Sequence, residues 1–240
     1  MTRWKPILGL LVGAALCCAA FGAQNAAALT AHECVNVKPK QTTTQYTDST
    51  CSKPGNGGWY TEELPEGIYL FKVTQTSTLS LTAEFFGVGV HVGCTGVSGE
   101  GEEGNEEVEG VKTVHGSETI DFTGCTPEIK GCEIPGGKIE SHRLTSKTSE
   151  EGEGNFMEYR PAEGETLASI VFEGCEAGAL NGSHPLTGTL RGEIESDNKS
   201  ISLTETSGSQ VEFLGESASL QVKVHDATLG GGKTIAYERP

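Results

Sequence analysis

Two carboxylates on one face of a strand could serve a glycosidase, and Glu193 and Glu195 have the spacing for it. Residues i and i+2 of a strand point the same way. Glycoside hydrolysis sets an acid against a base or nucleophile, roughly 5–10 Å apart, across a sugar-binding cleft. In a chain this rich in Glu, with no aromatic platform beside the pair, a solvated strand face is the simpler reading. A nucleophile–base site finds even less support. The chain has no G-x-S-x-G elbow, and its histidines (His32, His91, His115, His142, His184, His225) stand singly. His91 is the most interesting of them. Gly89 and Gly93 are its same-face neighbours, and Val90 and Val92 occupy the other face, which leaves room beside the imidazole for a ligand or a crossing strand. One His without a charged partner nearby in sequence is not a catalytic set.

Binding chemistry has three candidate locations. The acidic run Glu100–Glu109 offers Glu102, Glu103, Glu106 and Glu107 as hard oxygen ligands for calcium. It lacks the D-x-[DN]-x-[DN]-G spacing of a tight calcium loop, so a disordered, solvated hairpin tip is the simpler reading. His32 beside Cys34 and His91 near Cys94 could suggest zinc, but no C-x-x-C or H-x-x-x-H pair occurs. No cofactor is expected. Trp59 and Tyr60 follow a Gly-rich turn, with Tyr46 upstream, and such rings can stack on sugar faces. The alternative is that Trp59 packs over a local disulfide.

The elements that must position these residues are strands. Leu79, Leu81, Ala83 and Phe85 alternate with polar residues, and Val90, Val92 and Cys94 do the same in the next run. Ile120 with Phe122, Ile170 with Phe172, Leu190 with Ile194, Ile201 with Leu203, Val211 with Phe213, Leu220-x-Val222-x-Val224 and Ile235 with Tyr237 continue the pattern. Turn residues recur about every ten positions, and no stretch carries a 3.6-residue stripe. The prediction is an all-β, antiparallel sandwich or barrel of roughly ten to twelve strands, with almost no helix. Ser98–Gly110 and Ser149–Asn155 read as long polar loops. Ile120–Cys125 is echoed by Ile170–Cys175, and Cys94, Cys125, Cys132 and Cys175 each follow a glycine, which would let the chain turn sharply beside a disulfide.

The N-terminus reads as a cleaved signal helix. Arg3 and Lys5 precede an uncharged run from Ile7 to Gly22, and Ala26-Ala27-Ala28 supplies a small-residue cleavage site. That run is short for a membrane span, which needs about 20 residues. Cys17 and Cys18 lack the small preceding residue of a lipobox. The chain then divides into a signal (1–28), an irregular N-terminal arm (29–65) and one β domain (66–240). The leader holds two of the 17 basic residues and none of the 33 acidic ones, so the mature balance is 15 against 33, a formal −18. Such a surface repels phosphate backbones and anionic lipid, which excludes nucleic acid as a natural partner. A soluble monomer with no integral membrane segment, meeting cell-wall or extracellular glycan, fits better. Six cysteines remain after cleavage: Cys34, Cys51, Cys94, Cys125, Cys132 and Cys175. An even count in an exported chain argues for disulfides. Of the fifteen possible connectivities, the one favoured here is Cys34–Cys51, Cys125–Cys132 and Cys94–Cys175.

The order of V-x-V-x-C (Val90, Val92, Cys94), an acidic Gly-rich segment, I-x-F-T-G-C (Ile120–Cys125), Lys130-Gly131-Cys132, I-x-F-E-G-C (Ile170–Cys175) and Leu186-Thr187-Gly188-Thr189-Leu190 resembles a group of exported, β-rich, Gly/Thr/Glu-rich proteins of soil actinobacteria without an assigned activity. The resemblance covers roughly residues 65–240. It implies export, the fold class and disulfides, and it transfers no active site. The expectation is an exported non-enzymatic structural or adhesive domain, the alternatives being a carbohydrate-binding module or a β-sandwich glycan hydrolase.

Overall fold

Alternating branched and small polar residues give strands almost everywhere, and two three-residue turns of 3-10 helix, Pro135–Gly137 and Gly178–Leu180, are the helical elements among the described residues. The structure, a computed structural model, describes residues 29–36, 45–108, 110–151, 154–204, 208–224, 228–229 and 233–238. The leader assigned to residues 1–28 lies outside them. The strands are β1 (Thr30–Asn36), β2 (Trp59–Glu63), β3 (Tyr69–Phe85), β4 (Val88–Val108), β5 (Val111–Thr123), β6 (Thr126–Pro127), β7 (Lys138–Glu140), β8 (Leu144–Glu151), β9 (Gly154–Pro161), β10 (Thr166–Phe172), β11 (Gly182–Ile194), β12 (Ile201–Leu203), β13 (Gln210–Phe213), β14 (Glu216–Val224), β15 (Thr228–Leu229) and β16 (Lys233–Glu238). No helix among the described residues is long and apolar enough to cross a membrane.

Neighbours in sequence pair antiparallel, and the pairings close on themselves. The circuit runs β3–β4–β5–β8–β9–β11–β12–β14 and returns to β3 through Leu220↔Leu81. β12 and β13 lie end to end between β11 and β14, like one strand interrupted after Leu203. The fold is therefore all-β and barrel-like, and closure leaves no unpaired edge on the main wall. β15, β16, β1 and β2 extend from the N-terminal half of β3 as a flange.

The core has two levels. At one, Leu79, Leu81, Val90, Val92, Ile170, Phe172, Phe213 and Leu220 pack together, all 4% exposed or less. At the other, Val73, Val97, Met157, Ile201 and Leu203 surround polar groups. A bulge separates the levels: the β3–β4 register shifts between Thr76 and Leu79, so Ser77 and Thr78 oppose Thr95 alone. Such a bulge changes which residues face inward. β4 buries Val90, Val92 and Cys94 before it and Val97, Glu103 and Asn105 after it.

Two of the expected loops are strands. Ser98–Val108 continues β4, paired to β3 as far as Glu103 and to β5 as far as Val108. Ser149–Glu151 ends β8, and Gly154 and Asn155 begin β9. The glycines that suggested flexibility serve close packing. A Cβ on Gly101 would stand 2.5 Å from the Ser117 carbonyl oxygen and 2.6 Å from Glu118 Cβ.

All six described cysteines are paired, as Cys34–Cys51, Cys94–Cys125 and Cys132–Cys175. The first pair is the expected one. Cys125–Cys132 and Cys94–Cys175 are corrected. Gly96 faces Thr123 and Gly93 faces Thr126 in successive pairings, so the β4–β5 hairpin carries Cys125 to the flank of Cys94. The Glu133↔Glu173 bridge brings Gly131-Cys132 against Gly174-Cys175. There a Cβ on Gly131 would meet the Gly174 carbonyl at 2.8 Å, so glycine before each cysteine permits the approach. Three disulfides are the mark of an oxidising environment.

Candidate functional site

The richest polar chemistry lies inside the second level of the barrel, where β4 and β5 place glycine and glutamate in a crossed arrangement. Glu103 faces Gly116, and Gly101 faces Glu118, so each carboxylate has a bare backbone opposite. The inward rung through Glu103 continues through Gly116 to Ser146 of β8, Tyr159 of β9 and Leu190 of β11. A Cβ on Gly116 would lie 2.3 Å from Ser146 Oγ and 3.0 Å from Glu118 Oε2, so that glycine makes the space the cluster occupies.

Each carboxylate is half-satisfied. Tyr237 Oη donates to Glu103 Oε2 at 3.0 Å, and Ser146 Oγ donates to Glu118 Oε2 at 3.1 Å. Glu103 Oε1 and Glu118 Oε1 are buried without a hydrogen-bond partner among the described residues. Both side chains line an enclosed cavity of about 60 Å3, together with Tyr159, Tyr237, Ser146, Val73, Val97 and Met157. Removal from water disfavours the charged form. Burial pushes Glu103 up to about 7, with the Tyr237 hydrogen bond pulling the other way. Burial and then the charge of Glu103 push Glu118 up to about 8, against Ser146 and the Arg143 guanidinium. Tyr159 and Tyr237 are driven well above the ordinary phenol value, burial first and the two carboxylates after it.

Asn105, one rung further, shows full satisfaction by contrast. Its Oδ1 accepts from the Ala31 amide at 2.7 Å, and its Nδ2 donates to the carbonyls of Ala31 and Leu64 at 3.0 and 2.8 Å. That side chain stitches the N-terminal segment across the barrel wall, while the two glutamates are left with spare acceptors.

The acidic run is split by the pleat. Glu103 turns inward, Glu102 and Glu106 turn outward, and Glu107 is exposed near the hairpin end. Glu106 Oε2 lies 3.7 Å from His115 Nδ1. Among the described residues no group of three or more His, Cys, Asp or Glu gathers as a metal site. Glu193 is exposed on β11, and Glu195 accepts from Ser202 Oγ and lies 3.4 Å from Lys223 Nζ.

His91 has partners that the sequence did not reveal. Its Nε2 is 2.9 Å from Ser80 Oγ, and its Nδ1 is 3.2 Å from Glu128 Oε2. A serine, an imidazole and a carboxylate in that order is the sequence of groups in a hydrolytic triad, but His91 Nδ1 makes no hydrogen bond among the described residues, so the carboxylate does not orient the ring as a triad requires. The group sits on the outer face of the wall, with the Glu128 side chain 75% exposed. Strand β3 is paired on both edges at Ser80, to Gly93 and to Gln221. Its backbone N–H groups are thus committed to ladders, whereas acyl transfer needs free donors aimed at the developing oxyanion. Trp59 and Tyr60 lie on β2 at the end of the flange, half-buried, with Tyr46 bridged to Trp59 and Tyr60 Oη donating to Glu62 at 3.3 Å. The structure keeps these groups apart: Trp59 and Tyr60 are on β2, His91 is on the outer face of the first half of β4, and Glu103 turns inward from its second half, opposite Glu118 on β5. In comparisons with protein-family models, curated proteins and solved structures, nothing matches the chain.

Proposed function

We propose that the chain is an exported, non-enzymatic module of the cell envelope or extracellular space with a structural or adhesive role. The observation that carries this reading is the enclosure of the barrel. Glu103 and Glu118, the carboxyls best suited by their environment to acid–base work, are 6% and 4% exposed, so a polymeric substrate has no route to them. The disulfides support an oxidising compartment, and the formal −18 of the mature chain speaks against nucleic acid and anionic lipid. The test is co-sedimentation of the exported protein with envelope fractions and a polysaccharide panel, with soluble sugar measured in parallel. Retention without sugar release is expected. Release of soluble sugar would replace the reading with a glycan hydrolase, and retention on polysaccharide that is lost in Trp59→Ala would replace it with a carbohydrate-binding module.

A second reading, an esterase-type hydrolase, rests on the Ser80–His91 hydrogen bond with Glu128 beside the ring. A fluorophosphonate probe separates the two. Labelling abolished by Ser80→Ala would support the hydrolase; an unlabelled native protein would leave the structural role standing.

A further inference from the structure

We propose that the barrel interior is a calcium site built from Glu103 and Glu118, with the hydroxyls of Ser146, Tyr159 and Tyr237 around it. Two independent observations point there. The first is an unmet need: each glutamate is more than nine-tenths buried, and each keeps one carboxylate oxygen unpartnered among the described residues. A buried carboxylate without compensation is among the costliest groups a core can hold. The second is that the need is built in. Gly101 and Gly116 clear the opposite strand for these side chains, and an added Cβ at either position would collide with the cluster or the wall behind it. Both glutamates face one enclosed cavity of about 60 Å3.

The chemistry of the cavity selects the occupant. Two carboxylates match a divalent charge, whereas a monovalent ion would leave one of them uncompensated. Every polar group in the lining is an oxygen donor, and no imidazole or thiolate is present, which disfavours zinc. Magnesium takes one or two carboxylates and keeps several waters in a strict octahedron, whereas this lining brings two carboxylates and three hydroxyls to the ion. Calcium tolerates irregular sets of about 6–8 oxygens and accepts bidentate carboxylates. The oxygens come from β4, β5, β8, β9 and β16, which converge only when the strands are paired, so binding of the ion is coupled to folding.

The test measures metal content and melting temperature. Chain purified from calcium-containing medium and passed through chelating resin should retain one calcium per molecule by atomic emission. Chain refolded at pH 8 with CaCl2 should melt roughly 5–10 °C above chain refolded with EDTA, the shift expected at about a hundredfold excess over Kd. Glu103→Gln and Glu118→Gln, isosteric and uncharged, should fold and lose both the ion and the shift. Glu106→Gln, on the outer face, should keep both. A calcium shift that survives the two interior variants would place the ion elsewhere and overturn the site. Native protein without calcium, melting identically in CaCl2 and EDTA, would show that protons alone neutralise the pair, and would overturn it equally.

Discussion

At the scale of single residues, the buried pair makes stability depend on pH in an unusual direction. A carboxyl whose native pKa lies above its unfolded value keeps its proton longer in the folded chain. Between the ordinary value of 4.5 and the folded values of about 7 for Glu103 and about 8 for Glu118, the native state holds more protons than the unfolded state. The stabilisation is therefore fully present below about pH 4.5 and is lost as pH rises through 7 and 8. Each group contributes at most about 1.4 kcal/mol per pH unit across that window. The groups facing the pair are Tyr159, Tyr237, Ser146 and Arg143, and the two phenols stay neutral throughout. In EDTA, chemical denaturation at pH 5 and pH 8 should show the native chain more stable at pH 5, and Glu118→Gln should flatten that difference. A native profile that rises from pH 5 to pH 8 would mean the carboxyls ionise without penalty.

At the scale of elements, the hairpin tips carry strain that the strands do not. Phe86 and Gly87 both have positive φ, 48° and 79°, as do Leu214 and Gly215, at 60° and 82°. Two-residue turns of this kind favour Asn-Gly, because a bulky residue in the left-handed region costs about 1–2 kcal/mol. Phe86 is 91% exposed, and its one ring contact is an edge-to-face pair with Phe85, centroids 4.6 Å apart, which offsets part of the gain from its replacement. Phe86→Asn should stabilise the chain by about 1 kcal/mol, read as a higher denaturant midpoint at unchanged slope; a lower midpoint would show that the ring makes a contact worth more than the turn. These tips also show what the sequence can and cannot convey. The alternation in Leu79–Ala83 and Val90–Cys94 identifies strands directly, because one face is apolar and the other polar. The continuation of β4 through Ser98–Val108 was illegible, because its inward positions are Gly99, Gly101, Glu103 and Asn105, and none of these is apolar. Ser80 and Glu128 were missed as partners of His91 for another reason: they come from β3 and from the segment after β6, and only strand pairing brings them together.

At the scale of the whole molecule, the disulfides divide the labour. Cys34–Cys51 ties down the N-terminal segment, while Cys94–Cys125 and Cys132–Cys175 clamp the end of the barrel where β5 and β10 finish. The sequence separations of those two are 31 and 43, and by loop closure each contributes about 3–4 kcal/mol. Non-reducing peptide mapping should recover Cys94 with Cys125 and Cys132 with Cys175. Replacing Cys132 and Cys175 together by Ser should lower stability by about 2–5 kcal/mol, and a loss smaller than 1 kcal/mol would mean that the clamp adds little to the packed wall. The formal charge of −16 on the sequence makes the chain self-repelling, which suits a barrel whose main wall is closed by strand pairing.

The bulge where Ser77 and Thr78 oppose Thr95 acts as a phase shifter between two halves of one strand. Upstream of it, β4 reads in one frame and delivers valines to the interior. Downstream it reads in the other and delivers Gly99, Gly101 and Glu103 in place of Gly96, Ser98, Glu100 and Glu102. Deleting Ser77 would cancel the shift without touching any residue of the polar cluster. Either β4 then runs on in the valine frame and turns Glu103 toward solvent, or β4 keeps its place on β5 and β3 takes up the misfit. The extra residue of β3 is what lets the valines and the acidic pair share one interior.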